Sequence, residues 1–289
     1  MIYLIPEVKS GLGEDTFWCW FEREFKNVQF LTHCHIPENF NYETDCIIVY
    51  STKGNFNWGN AITFSLCWEL YPEMSHILKS DAWDDKIYVT HQSAKSVTEI
   101  FVASNLAKEF YQNDGKITVM PIGVDTNLFK PISDDDTKNQ LKIKYNVPLN
   151  QTIGIWCGTT HPMKGFDNLI KYANNNPDIF WIIIWKTHEE SGRMPDHISN
   201  IQKTLIRQDE LAILFGLADF FLSCGLLRPY FMVEYEAMAC NLPLIFTDNI
   251  EKDFVPSNCS RNDIFAYGWD RDSVKQKWVD KLKEYGITI

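Results

Sequence analysis

The residues best suited to chemistry lie in the stretch TIGIWCGTTHPMKGFDNLI, from Thr152 to Ile170. An apolar run from Ile153 to Cys157 reads as a buried parallel strand that ends at Gly158. A short polar loop follows, and helical spacing resumes at Lys164-Gly165 and continues to Ile170. A strand–loop–helix unit aims backbone N–H groups, the positive end of a helix and an ammonium at one spot, which suits a phosphate. Lys164 is the cation of that cradle. Thr159 and Thr160 can donate hydroxyls to phosphate oxygens, or equally cap the turn or the helix. His161 is better suited to touching a phosphate or a sugar than to moving a proton.

A second candidate is Glu236, in EAMAC, on a helical segment otherwise made of Met232, Val233, Met238 and Ala239. Burying a carboxylate there without partners is costly, and such a group can accept both hydroxyls of a ribose. Glu234, on another face of the same helix, is expected in solvent. Near the start, Lys9-Ser10-Gly11-Leu12-Gly13-Glu14-Asp15 follows the first apolar run. Gly11 and Gly13 would let the backbone approach a ligand there, and a plain glycine turn fits as well. His91 follows Tyr88-Val89-Thr90, read as the end of a strand, so its ring is expected to face a cleft. His33-Cys34-His35 puts two imidazoles on one face of an extended segment, but no third ligand is evident and no metal site is predicted.

The elements that must position these groups follow from the rest of the chain. At 289 residues, with 45% hydrophobic and 14% aromatic residues, there is material for two cores. A net charge of −11 argues against a general nucleic-acid binder, though not against a local basic cleft. The eight cysteines are scattered without a CxxC pair, several within apolar runs, which fits a reducing cytoplasm. Neither a signal peptide nor a run long enough to span a bilayer is read.

Strands are predicted at Ile2–Ile5, Val28–Leu31, Cys46–Tyr50, Ile62–Leu66, Lys86–Thr90, Ile100–Ala103 and Ile117–Met120 in the first half, with a helix over Thr16–Lys26. The second half yields strands at Ile153–Cys157, Ile179–Trp185, Ile198–Leu205, Phe220–Ser223 and Leu244–Thr247. Helices are expected at Lys164–Asn174, Gln208–Leu217, Met232–Cys240 and Asp272–Tyr285. The polar interval Ser133–Lys142, with its Asp134-Asp135-Asp136 run, reads as a linker. Alternating strands and helices indicate an α/β fold of two Rossmann-like domains, residues 1–135 and 136–270, with a terminal helix in 271–289 that can pack back on the first. Ligands of parallel sheets sit at the carboxyl ends of the strands, so the cleft between the halves is the expected site. The aromatic-rich Trp18–Phe25 and Phe56–Trp68 stretches fit a core or an interface, which leaves the oligomeric state open.

Three segments in order resemble the family 4 glycosyltransferases, whose fold is called GT-B. They are KITVMPIGVDTNLFKP (Lys116–Pro131), GTTHPMKGFDNL (Gly158–Leu169), and Arg207 to Pro243 with RQDEL, LADFFLSCG and EYEAMACNLPLI. The resemblance covers the C-terminal half and the hinge, and little of the first hundred residues. It implies a retaining, metal-independent transfer of a hexosyl or pentosyl group from a nucleotide-diphosphate sugar to an acceptor hydroxyl, with no cofactor. It also implies that Lys164 neutralises the leaving diphosphate, Glu236 holds the ribose, and Gly158, Thr159, Thr160, His161 and Arg207 line the donor site. Gly11 and Gly13 would form the acceptor-side loop, and His91 would position donor or acceptor hydroxyls.

Two positions depart from the family. Arg228 stands eight residues before Glu236, where the family has a glutamate that contacts the donor sugar, and Thr159 stands where it has an arginine. Arg228 is therefore assigned to the diphosphate as a relocated cation, with a salt-bridged surface arginine as the plain alternative. The expected partners are a nucleotide sugar and a glycan acceptor. The other readings are a phage-type transferase acting on a hydroxylated DNA base, a sugar-nucleotide-binding protein without catalysis, and, less well fitted by EAMAC, a sugar-nucleotide epimerase.

Overall fold

The computed structural model describes residues 1–6, 13–31, 34–50, 57–67, 84–111, 115–186, 194–226, 231–247 and 259–287. The chain divides into two compact units, Met1–Gly123 with Arg271–Ile289, and Val124–Asp270. The first unit therefore ends at Gly123 rather than at 135, and the C-terminal segment joins it. Each unit is built on a parallel sheet, and together they give the GT-B fold.

In the first unit the elements are β1 (Ile2–Ile5), α1 (Gly13–Glu24), β2 (Val28–Phe30), β3 (Cys46–Tyr50), β4 (Ile62–Leu66), α2 (Asp84–Ser96), β5 (Glu99–Val102), α3 (Asn105–Tyr111) and β6 (Ile117–Val119). The sheet order is β2-β1-β3-β4-β5-β6, with parallel ladders. The unbroken apolar runs of β1 and β3 are buried along their whole length, as expected of strands covered on both faces.

The second unit holds α4 (Asp135–Lys144), β7 (Ile153–Gly158), a 3-10 turn (Pro162–Lys164), α5 (Phe166–Asn175), β8 (Phe180–Trp185), β9 (Asn200–Thr204), α6 (Gln208–Leu217), β10 (Phe220–Ser223), α7 (Met232–Ala239), β11 (Leu244–Phe246) and α8 (Arg261–Ala266). Its order, β11-β10-β7-β8-β9, puts β7 at the centre, fully buried between β10 and β8. The chain then returns to the first unit as α9 (Arg271–Glu284). Val274, Trp278 and Leu282, four residues apart, are completely buried there, and the Trp278 ring meets Phe21 of α1 edge-on at 5.1 Å. No helix among the described residues is long and apolar enough to cross a membrane.

Three expectations are corrected. Lys86–Thr90 is helix α2, not a strand. Its buried stripe is Thr90, Ser93 and Ala94, small residues of which two are polar, so no helical apolar stripe stands out. The polar interval read as a linker is helix α4. Asp134 caps it, accepting the Thr137 N–H at 2.8 Å, and Asp135 and Asp136 place negative charge in the first turn, where the helix dipole favours it. Glu234 is buried, not solvated. Its carboxylate accepts the Phe231 N–H at 2.7 Å and the Ser223 hydroxyl, closing the N-terminus of α7 onto the end of β10.

Candidate functional site

The candidate site occupies the carboxyl end of β7 in the second unit. Beyond Gly158 the chain enters a tight turn. The Thr159 hydroxyl accepts the His161 N–H at 3.4 Å, and His161 Nδ1 accepts the Met163 N–H at 3.3 Å. The Lys164 N–H then bonds the His161 carbonyl at 2.8 Å, and the Gly165 N–H bonds that of Pro162 at 3.0 Å. Lys164 therefore ends a 3-10 turn instead of opening the long helix, which begins at Phe166. The amides of His161, Met163, Lys164 and Gly165 are consumed within the turn, so binding of an anion here draws more on side chains than the sequence pattern implies.

Gly165 makes this turn possible. Its φ is +68°, in the left-handed region, and a Cβ there would lie 1.8 Å from the Cys224 carbonyl oxygen. The loop is thereby pressed against the end of β10. The Leu226 N–H bonds the Met163 carbonyl at 3.0 Å and ties the loops after β7 and β10 together.

Side chains converge on this point from three elements. The half-buried Lys164 holds its ammonium 3.4 Å from the centroid of the Phe231 ring, at the start of α7. Glu236, one turn along α7, is only 4% exposed. Lys186 leaves the end of β8 beside the loop, and its N–H bonds the Gly158 carbonyl at 3.0 Å. Cys157, the penultimate residue of β7, lies among these charges. Burial pushes its thiol up to about 11, Lys186 and Lys164 draw it down, and Glu236 pushes it up.

Burial alone would pull the Lys186 ammonium below the ordinary lysine value. The neighbouring Cys157 and Glu236 side chains more than offset it and leave that pKa raised. Two partly buried lysines and one buried carboxylate thus act on the same buried thiol. Sequence alone does not single out Lys186 or Phe231. A lysine ending an apolar run looks like a solvated strand end, and an aromatic beside a helix looks like core.

The other expected residues fall as follows. Gly158, Thr159, Thr160, His161, Lys164 and Glu236 belong to the β7 loop and the facing helix α7. Arg207 is the N-cap residue of α6, after the edge strand β9, with its guanidinium on Asp209 at 2.8 Å and 84% exposed. It is displaced by two strands from β7. His91 lies within α2 of the first unit and not at a strand end, with its ring 5.2 Å from that of Tyr111. Gly13 is the first residue of α1, while Gly11, Arg228 and His33 lie outside the described residues. Among the described residues no group of three or more His, Cys, Asp or Glu side chains is placed to hold a metal.

No protein-family model matches the chain. In sequence it is similar to an alpha-galactosylglucosyldiacylglycerol synthase of Streptococcus pneumoniae, 25% identical over 162 residues. That match takes in 52% of this chain and 41% of the relative, so the chain corresponds to less than half of that protein's length. In structure it is similar to a sucrose-phosphate synthase of Thermosynechococcus elongatus, with a TM-score of 0.69 and 11% identity, covering 99% of this chain and 94% of that one. Anabaena Alr3699/HepE, solved in complex with UDP, matches with a TM-score of 0.71 and 14% identity over 98% and 99% of the two chains. The chain has the GT-B fold, the architecture of the sugar-transferring enzymes to which it is similar in sequence and in structure.

Proposed function

We propose that this chain is a retaining glycosyltransferase that moves a sugar from a nucleoside-diphosphate sugar to a hydroxyl of a glycan. The observation that carries the reading is the Lys164 loop at the carboxyl end of the central strand β7, whose ammonium lies 3.4 Å from the ring of Phe231, the N-cap of the helix that bears the buried Glu236. The similarity to a glycolipid-forming synthase and to a protein solved with UDP and with UDP-glucose supports it, and makes UDP-glucose the first donor to assay.

In this reading Glu236 accepts the ribose hydroxyls, and the Lys164 ammonium offsets the charge that builds on the diphosphate as the bond from its oxygen to the sugar C1 breaks. The acceptor oxygen bonds C1 on the same face, and its proton passes to the departing phosphate oxygen. The protein supplies orientation and charge stabilisation and needs no metal for the step.

A thermal-shift screen over nucleoside diphosphates and their sugars tests the donor site. A ligand at a hundred times its Kd adds about 2.7 kcal/mol to the stability of the native chain. Donor turnover followed in EDTA, with the anomer of the product read by NMR, tests the rest. A shift without any hydrolysis or transfer would make the chain a binding protein, and an inverted anomer would remove the retaining step.

A further inference from the structure

Among the described residues, Lys186 is a cation at the β7 loop to which the spacing of the sequence assigns no task. It follows β8, the strand beside β7, and its backbone N–H is fixed to the carbonyl of Gly158, where the loop begins. Its side chain is half-buried at the strand end and bonds the thiol of Cys157, which itself is 4% exposed. Lys164 ends the turn that follows Gly158, so the two lysines flank the same loop, one at its start and one at its end.

An ammonium partly withdrawn from water is stabilised by anionic company. The loop itself supplies little to an anionic ligand: Thr159, Thr160 and His161 bear no fixed positive charge, and four of its amides are already bonded within the turn. A diphosphate carries more than one negative charge, so it has room for a further cation beside Lys164.

We propose that Lys186 is a second cation of the donor site, contacting the diphosphate of the sugar nucleotide alongside Lys164. This rests on the donor site proposed above. In the absence of ligand the Glu236 carboxylate partly balances the ammonium, and on binding the diphosphate takes over that role. Glu236 is then left to the ribose.

The competing account is that Lys186 only orients Glu236, and the two differ in what they do to the nucleoside part of the ligand. Full-length wild type, Lys186→Met and Lys186→Arg are titrated calorimetrically with UDP, GDP, ADP and CDP. Binding of the matching nucleosides is followed by ligand-observed NMR. Lys186→Met keeps the apolar stem and is expected to weaken the preferred diphosphate at least tenfold while leaving the nucleoside within about twofold. Lys186→Arg should recover most of the loss.

An equal loss for diphosphate and nucleoside would assign Lys186 to orienting Glu236 and overturn the proposal, as would no loss at all. Should wild type bind none of the four diphosphates, the donor-site reading fails and the role of Lys186 falls with it. Melting curves confirm folding. If the Met variant does not fold, Lys186→Gln, which keeps length and polarity without charge, is subject to the same expectations.

Discussion

The Lys164 ammonium rests 3.4 Å from the centroid of the Phe231 ring. That ring is itself seated on Gly225, where a Cβ would come within 2.1 Å of it. A cation over an aromatic face is worth about 0.5–2 kcal/mol, enough to park a flexible side chain but little beside a charge-assisted bond to phosphate. Lys164→Ala should therefore lower turnover at least tenfold, about 1.4 kcal/mol in the barrier. Phe231→Leu, which removes only the parking place, should change it by less than about threefold. Steady-state rates with saturating donor check both, and unchanged turnover in Lys164→Ala would defeat the role given to that residue.

Gly165→Ala should be among the most damaging single-methyl changes in the chain. The new Cβ would combine a left-handed φ of +68° with a 1.8 Å approach to the Cys224 carbonyl. Gly59 makes a clean comparison, because its φ is +56° and nothing lies within 4 Å of a Cβ placed there. Gly59→Ala should cost about 1 kcal/mol, the left-handed backbone term alone. Gly165→Ala should cost about 3 kcal/mol or more, as overpacking against rigid backbone adds to it. Urea midpoints of the two variants give the difference, and similar midpoints would show that the loop gives way without cost.

What could be read without coordinates was set by how strongly a segment announces burial. β3, β4, β7, β8 and β10 are near-continuous apolar runs, and the stripe Val274, Trp278, Leu282 has the helical step, so each stands where its pattern puts it. Helices α2 and α4 were hidden for opposite reasons. One buries Thr90 and Ser93, which do not register as apolar, beside Ala94, and the other is mostly polar with a capping aspartate in an acidic run. At the site, Lys164 and Glu236 were legible from their neighbours in sequence. Lys186 was not, because only the parallel pairing of β7 with β8 carries it from 28 positions beyond Gly158 to the mouth of the same loop. Nor was the burial of Glu234, which depends on the Ser223 hydroxyl from a separate strand.

The cysteines should differ widely in reactivity. Burial pushes Cys157 up to about 11, and Cys46 and Cys240 up to about 12, so at pH 8 about one in a thousand of these thiols or fewer is ionised. Cys19 is exposed on α1, and Cys34 is partly so. Brief alkylation of the native chain with iodoacetamide, followed by peptide mass spectrometry, should label Cys19 first, then Cys34, and leave Cys46, Cys157 and Cys240 untouched until the chain is denatured. Early labelling of Cys157 would mean that the floor of the β7 loop is open to solvent.

The stability of the first unit should carry a pH signature from Glu99. This carboxylate is completely buried at the start of β5, bonded by the Thr118 hydroxyl and by the Tyr285 hydroxyl at 2.6 Å, with Lys281 and Lys116 each at 3.2 Å. Burial alone would raise its pKa, but the hydrogen bonds from Thr118, Tyr285 and Lys281, with the Lys281 charge, outweigh that and hold it below the ordinary value. A carboxyl whose folded pKa is depressed adds stability that is fully present above its unfolded pKa, about 4.3. That stability drains away as pH falls through the lower folded value. Glu99→Gln leaves Lys281, only 11% exposed, without its buried counter-charge, and should cost about 3 kcal/mol at pH 7. The gap between wild type and variant should narrow as the pH drops from about 5 towards 3. Urea midpoints across that range measure it, and two curves that stay parallel would mean that Glu99 does not titrate as a charged group in the folded chain.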